Sequence, residues 1–249
     1  MKRYFALGVV LMALIMSCDN DEIADENVSD ISFDFQFVTD DGTIQLNEPF
    51  ELNGSTVQFE VANFYFYDLE MGKSGSNLTL ADERTHVLAG ANLTTSFSDL
   101  NVAPFDLIST KITIGVEESQ NNQSEADFTE RRSDDPLSIK DPSMHWNWNS
   151  GYKFVRFDGE VDTDGDGVVD TPIAYHLGSD AMRTDLIITQ DKLEIGEGKN
   201  NLTMVFNLDE FFKDVDFQEQ SNWDTHTGNN MPLAEQLRDN LRSSMSISK

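Results

Sequence analysis

The sequence predicts an all-β fold: an antiparallel β-sandwich with long loops and a short C-terminal helix. Three observations carry this expectation. Apolar and polar residues alternate with period two in many short runs, polar Gly/Asn/Asp turns separate those runs, and helical periodicity is scarce. The 249 residues are 39% hydrophobic and 10% aromatic, enough to bury a core. The first run, ISFDFQFV, sets Ile31, Phe33, Phe35 and Phe37 against Ser32, Asp34 and Gln36. The next, TVQFEVANFYFYDLEM, alternates through Val57, Phe59 and Val61 and turns aromatic from Phe64 to Tyr67. DLISTKITIGVE reads as a strand with Ile108, Ile112 and Ile114 directed to the core. GYKFVRFDGEV, PIAYHLG, TDLIIT and NLTMVFNL extend the series. Asp41-Gly42, Asn53-Gly54, Asn149 to Gly151 and Gly196 to Asn201 supply turns between them. The polar stretch Glu117 to Asp141 is expected to be an extended loop crossing the sandwich. Helix is expected only as a turn at Asp209 to Lys213 and over Pro232 to Ser244, where Leu233, Leu237 and Leu241 recur every four residues.

Charge narrows the function. With 17 basic and 45 acidic residues the chain carries −28. Such a surface repels polyanions, so no nucleic-acid partner is expected, and it has no electrostatic grip on an anionic bilayer. Metal cations, basic partners or plain solvation remain open.

Residues 1–17 read as a lipoprotein signal peptide. Lys2 and Arg3 form its positive start, and Phe5 to Met16 form an apolar run too short to span about 30 Å of hydrocarbon. The single cysteine, Cys18, follows Ile15-Met16-Ser17 in a pattern that resembles a lipobox, so it is expected to be acylated and to anchor the chain to the outer membrane of the cell envelope. Residues 18–30 are acidic and poorly hydrophobic, a disordered tether. Acidic residues after the cysteine resemble surface-export signals of Bacteroidota lipoproteins, and simple spacing from the membrane explains them equally. Attachment facing the periplasm or the cell surface thus stays open. Residues 31–249 are expected to form one domain.

The densest chemical pattern runs from Asp162 to Asp170. Asp162, Asp164 and Asp166 occupy positions 1, 3 and 5 of a calcium loop, Gly167 the tight-turn position 6, the Val168 carbonyl position 7 and Asp170 position 9. Position 12 is Ile173, so the usual bidentate carboxylate is missing, and strands rather than helices flank the loop. Asp158, Glu160 and Asp180 are near enough in sequence to complete a shell. A structural calcium ion or a solvated acidic hairpin tip are the two readings.

Segment 143–159 reads SMHWNWNSGYKFVRFDG. In an extended chain Met144, Trp146 and Trp148 share one face, and His145 and Asn147 the other. The hairpin formed with PIAYHLG brings His176 back toward the tryptophans. Imidazole with thioether suits copper, whereas plain core packing is the competing reading of the same residues.

These elements, Trp146-x-Trp148-x-x-Gly151-Tyr152 with Gly159 and then His176-Leu177-Gly178, resemble the MbnP-like family of methanobactin-associated periplasmic proteins and copper-repressible surface proteins. FYFYDLEM, ITIGVE, NLDEFF and NMPLAEQLRDNL extend the resemblance through most of the mature chain. The resemblance implies an exported β-sandwich that binds copper, with one tryptophan oxidised to kynurenine by a partner dihaem peroxidase-like enzyme. Carried to this sequence, it implies Trp146 or Trp148 as the modified residue and His176 and His145 as ligands. His86 has no motif behind it, and His226, in the polar loop WDTHTGNN, has the poorest claim.

The expected function is therefore a lipid-anchored copper-binding protein with a structural calcium loop. The alternative is a cell-surface binding or adhesion module holding calcium alone. No catalytic motif is evident, so enzymatic activity is not expected.

Overall fold

In a computed structural model of the chain, the described residues are 29–73, 76–82, 86–89, 94–147 and 151–249. The signal sequence, Cys18, nearly all of the tether and Trp148 lie outside them.

Strand β1 (Ser29–Thr39) takes in the last two residues of the expected tether, and Ser29 is already buried. Ile31, Phe33, Phe35 and Phe37 point inward as their alternation requires. β2 (Gly42–Thr43) and β3 (Phe50–Leu52) lead into the long β4 (Ser55–Lys73), followed by β5 (Ser76–Asp82), β6 (His86–Ala89), β7 (Thr94–Val102) and β8 (Phe105–Ile114). Two short helices, α1 (Glu118–Asn121) and α2 (Glu125–Thr129), stand where the sequence suggests only extended loop. The signal for α2 is Ser124 with Asp127 three residues on, which form a reciprocal capping box. Then come β9 (His145–Asn147), β10 (Gly151–Val161), β11 (Thr171–Gly178), β12 (Thr184–Ile195) and β13 (Gly198–Asn207). The chain ends with α3 (Leu208–Phe211), β14 (Asp224–Thr225), α4 (Met231–Ser244) and β15 (Met245–Ser248).

The described strands form two facing sheets. One runs β15-β13-β1-β2, with β7 also on β1; the other runs β12-β8-β4-β10-β11-β14. Along its length β4 also pairs β3, β5 and β6, and β9 pairs β10. The sandwich is mixed rather than wholly antiparallel. At Gly196 the chain leaves the second sheet for the first, so β13 arrives parallel to β1, with Phe33 opposite Leu202 and Phe37 opposite Phe206.

Phenylalanines fill the space between the sheets. The Phe37 ring centroid lies 5.9 Å from Phe157 and 5.6 Å from Phe206, both near edge-to-face. Each such pair adds about 0.5–1.5 kcal/mol beyond the area it buries. Phe211 and Phe212, in and just after α3, close one end of the core on Phe157, at 5.4 and 5.7 Å. Leu233, Leu237 and Leu241 are buried along α4, as their spacing predicts. Ile108 is 39% exposed, contrary to its expected core position. The β4–β8 register shifts between Gly72 and Lys73, skipping Ile108, so Leu107 takes the inward place.

The second sheet is covered on its outer face too. Tyr65, between the inward Phe64 and Phe66, points outward beneath the crossing segment 117–145 and donates to the Pro136 carbonyl at 3.2 Å. Tyr152 packs on it at 5.7 Å and donates to the Leu137 carbonyl at 2.9 Å. This outer layer ends where the hairpin of β10 and β11 carries the candidate site.

Candidate metal centre

β10 and β11 pair antiparallel with Arg156 opposite His176. Asp158, two residues along, shares the face of Arg156 and reaches both neighbours. Its Oδ1 accepts a short hydrogen bond from His176 Nε2. Its Oδ2 accepts from Arg156 Nε at 2.6 Å and lies 2.5 Å from Nη2. The bond to Asp158 fixes the imidazole so that Nδ1, the other ring nitrogen, is buried and has no hydrogen-bond partner. The His176 side chain is only 9% exposed. Burial is the largest influence on its pKa and lowers it; Asp158 opposes this, and Lys153 and His226 reinforce it, so the ring is held below the ordinary histidine value. For Asp158 burial works against ionisation, but the bonds and charges of His176 and Arg156 prevail and hold its carboxyl below the usual range.

β14 adds to β11 in parallel, with Ala174 opposite Asp224 and Tyr175 opposite Thr225. One step further along this register, His226 comes beside His176, and registered neighbours in parallel strands face the same way. The two ring centroids are 4.6 Å apart and their planes 82° apart. Thr227, at φ 59°, locks the junction: its hydroxyl accepts from Gly178 N–H at 2.9 Å and lies 3.1 Å from the His176 carbonyl. Asn229 accepts from His226 N–H at 2.6 Å and braces the loop onto Asp224. Asp224 Oδ2 lies 3.5 Å from His226 Nδ1.

Trp146 arrives from β9, which pairs with β10. Its ring lies 5.6 Å from His176 and 5.9 Å from His226. Gly178 makes this approach possible, because a Cβ there would meet Trp146 Nε1 at 2.5 Å and the Tyr152 carbonyl at 2.6 Å. Lys153 stands over the indole with Nζ 5.1 Å from the ring centroid.

The sequence candidates divide accordingly. His176 and Trp146 are together. His145, on the opposite face of β9, packs on Phe128 at 4.5 Å and Tyr152 at 5.1 Å, away from the His176 pocket. Its Nε2 is buried without a partner, and burial, then Lys153, lowers its pKa. Met144 is buried in the hydrophobic core. Trp148 lies outside the described residues, and His86 sits on β6 opposite Phe66. The structure also brings His226 and Lys153 to this cluster, although the sequence gives His226 the poorest claim and Lys153 no role. The sequence groups Asp158 with the calcium loop, whereas the carboxylate serves His176. Asp180 is likewise engaged elsewhere, accepting from Asn121 at 3.0 Å and Asn122 at 2.8 Å.

Two neighbouring imidazoles, one with a free buried nitrogen and a carboxylate behind it, are a donor set suited to a borderline or soft metal ion. The carboxylate-histidine pair is the arrangement that orients a ligating ring. A second cluster lies in the β10–β11 connection. Asp162, Asp164 and Asp166 each offer a carboxylate oxygen within 4.8 Å of the others. Asp162 accepts from the N–H of Gly167 at 2.8 Å and of Gly165 at 2.7 Å, which hold its carboxyl below the usual range. Val168 is exposed, and Asp170 and Asp158 are not part of that cluster.

Among the described residues no helix is long and apolar enough to cross a membrane. No curated protein sequence matches the chain. A solved structure, MbnP from Methylosinus trichosporium, shares the fold with a TM-score of 0.54 at 14% identity, covering 77% of this chain and 80% of that one. The family model for MbnP matches residues 28–231, the whole span from the first strand to the start of α4, and the chain therefore belongs to the MbnP family.

Proposed function

We propose that the chain is an exported, lipid-anchored copper-binding protein of the cell envelope, with His176 and His226 as the ligating pair and Trp146 beside them. The observation that carries this reading is the buried, unpartnered Nδ1 of His176, in a ring fixed by Asp158 whose centroid lies 4.6 Å from that of a second histidine, His226. A nitrogen in that state lacks the hydrogen bond a buried polar atom ordinarily has, and a metal ion satisfies it. Family membership and the resemblance of the Trp-x-Trp and His-Leu-Gly elements support copper over other metals. The role is binding, in capture, storage or delivery, rather than catalysis.

The test is Cu(I) uptake by the mature protein, read by competition with a chromophoric chelator. Wild type is expected to bind, and His176→Ala and His226→Ala to lose binding while keeping their circular dichroism spectrum. Equal binding by all three proteins defeats the proposal. Trp146, whose ring lies near both histidines, is our candidate for oxidation to kynurenine by a partner dihaem enzyme, a change that would add about 4 Da to the intact mass. Attachment through Cys18 is supported by its lipobox-like setting and is tested by metabolic labelling with a fatty acid.

Calcium at the Asp162–Asp170 loop is a second element of the proposal, supported by the converging carboxylates of Asp162, Asp164 and Asp166. It would staple the β10–β11 hairpin from the end remote from His176. Calcium uptake without any copper uptake would instead favour the surface binding or adhesion module.

A further inference from the structure

We propose that Lys153 is the specificity-determining cation of this centre, setting the His176–His226 pair to prefer a monovalent metal ion over a divalent one. The inference rests on the copper reading above.

Lys153 is 9% exposed, so its charge is fixed close to the site instead of being dispersed in solvent. Nζ donates to the Ser143 carbonyl at 2.9 Å and stands 5.1 Å from the Trp146 ring centroid. Its backbone lies opposite Gly178, two residues past His176 on β11. Among the described residues no carboxylate comes within ion-pair distance of it. Asp158, the nearest candidate on the same strand, is already paired with Arg156 through two nitrogens. Arg156 Nη1 shares the Ser143 carbonyl with Lys153, at 2.7 Å, and that fixes the segment leading into β9. The other acid at the centre, Asp224, is 53% exposed, so water and salt screen it.

The charge balance follows. Imidazole nitrogens ligate as neutral donors, and the charges of Asp158 and Arg156 offset one another. The remaining buried charge is the Lys153 ammonium. Coulomb repulsion is linear in the charge of the incoming ion, so Lys153 opposes a divalent ion twice as strongly as a monovalent one. It acts without touching the metal, through the field it holds over the indole and the two rings. For a redox-active ion the same field favours the lower oxidation state and raises the midpoint potential.

The experiment compares wild type with Lys153→Gln, which keeps a donor for Ser143, with Lys153→Met, and with the charge-preserving Lys153→Arg. Cu(I) and Zn(II) affinities are measured by chelator competition, and the Cu(II)/Cu(I) midpoint potential by titration. Loss of the charge is expected to raise the Zn(II)-to-Cu(I) affinity ratio by about tenfold and to lower the potential, with Lys153→Arg close to wild type. An unchanged ratio and potential in folded Lys153→Gln or Lys153→Met, alongside Cu(I) binding that is lost in His176→Ala, overturns the Lys153 assignment alone. Wild type that takes up no Cu(I), or His176→Ala that binds it as tightly, overturns the copper reading and this inference together.

Discussion

His176, on β11, and His226, the residue that follows the parallel strand β14, stand with ring centroids 4.6 Å apart, although a long stretch of chain separates them in sequence. The pairing depends on a strand of only two residues, Asp224 and Thr225, and on the Thr227 hydroxyl that ties its far end to β11. Backbone register, rather than any local motif, sets the distance between the two imidazoles. The environment of each ring then differs: His176 is buried against Asp158, and His226 is the more open of the two, with a side chain 44% exposed.

Asp158→Asn keeps an oxygen for His176 Nε2–H but removes the negative charge and leaves Arg156 without its partner. Copper affinity is expected to fall about 10- to 100-fold, as it does when a ligand's orienting partner is removed. Stability should drop by about 1–3 kcal/mol through the uncompensated guanidinium. Chelator competition and urea unfolding measure the two effects separately.

Gly178→Ala places a methyl group against Trp146 Nε1 and the Tyr152 carbonyl, and the carbonyl cannot yield without moving β10. The expected cost is about 1–3 kcal/mol, typical of overpacking. Displacement of the indole should appear as a shift in tryptophan emission, and an unshifted spectrum with full stability would contradict this packing.

Stability of the metal-free protein should fall with acid. His145 and His176 are both held below their ordinary value of 6.5, chiefly by burial. Between the lowered value and 6.5 the unfolded chain binds the proton more readily than the folded one. The stabilising contribution is therefore full above 6.5 and is lost as pH falls through the lowered values. Denaturant midpoints measured from about pH 7.5 to about pH 5.5 should decline, and His145→Phe should flatten the curve, since Phe fits the pocket of Phe128 and Tyr152 and carries no titrating group.

Phe157→Ala removes a fully buried ring that meets Phe37, Phe59, Phe206 and Phe211. A loss of about 3–5 kcal/mol is expected in chemical denaturation.

Much of the sandwich is legible in the sequence because burial on one face writes a period-two pattern, as in Ile31 to Phe37. The hairpin that carries His176 is legible for the same reason, and so is the opposition of His145 and Trp146 on a strand. Ile108 misleads because a register shift changes strand parity without a marker residue. His226 is hard to read because two residues have no periodicity, and their parallel partner is chosen by the tertiary fold. Lys153 is hidden in another way: a lysine in a strand ordinarily signals solvent, and its burial depends on Trp146 folding across it.

The parallel seating of β14 has a consequence for timing. Trp146, His176 and His226 come from three separate segments, and the last of them precedes only α4 and β15. An incompletely emerged chain has no paired imidazoles to offer. Ligand geometry therefore becomes available only when the C-terminal part of the polypeptide has docked. For the exported copper-binding protein proposed above, metal acquisition would thereby be confined to the compartment in which folding finishes.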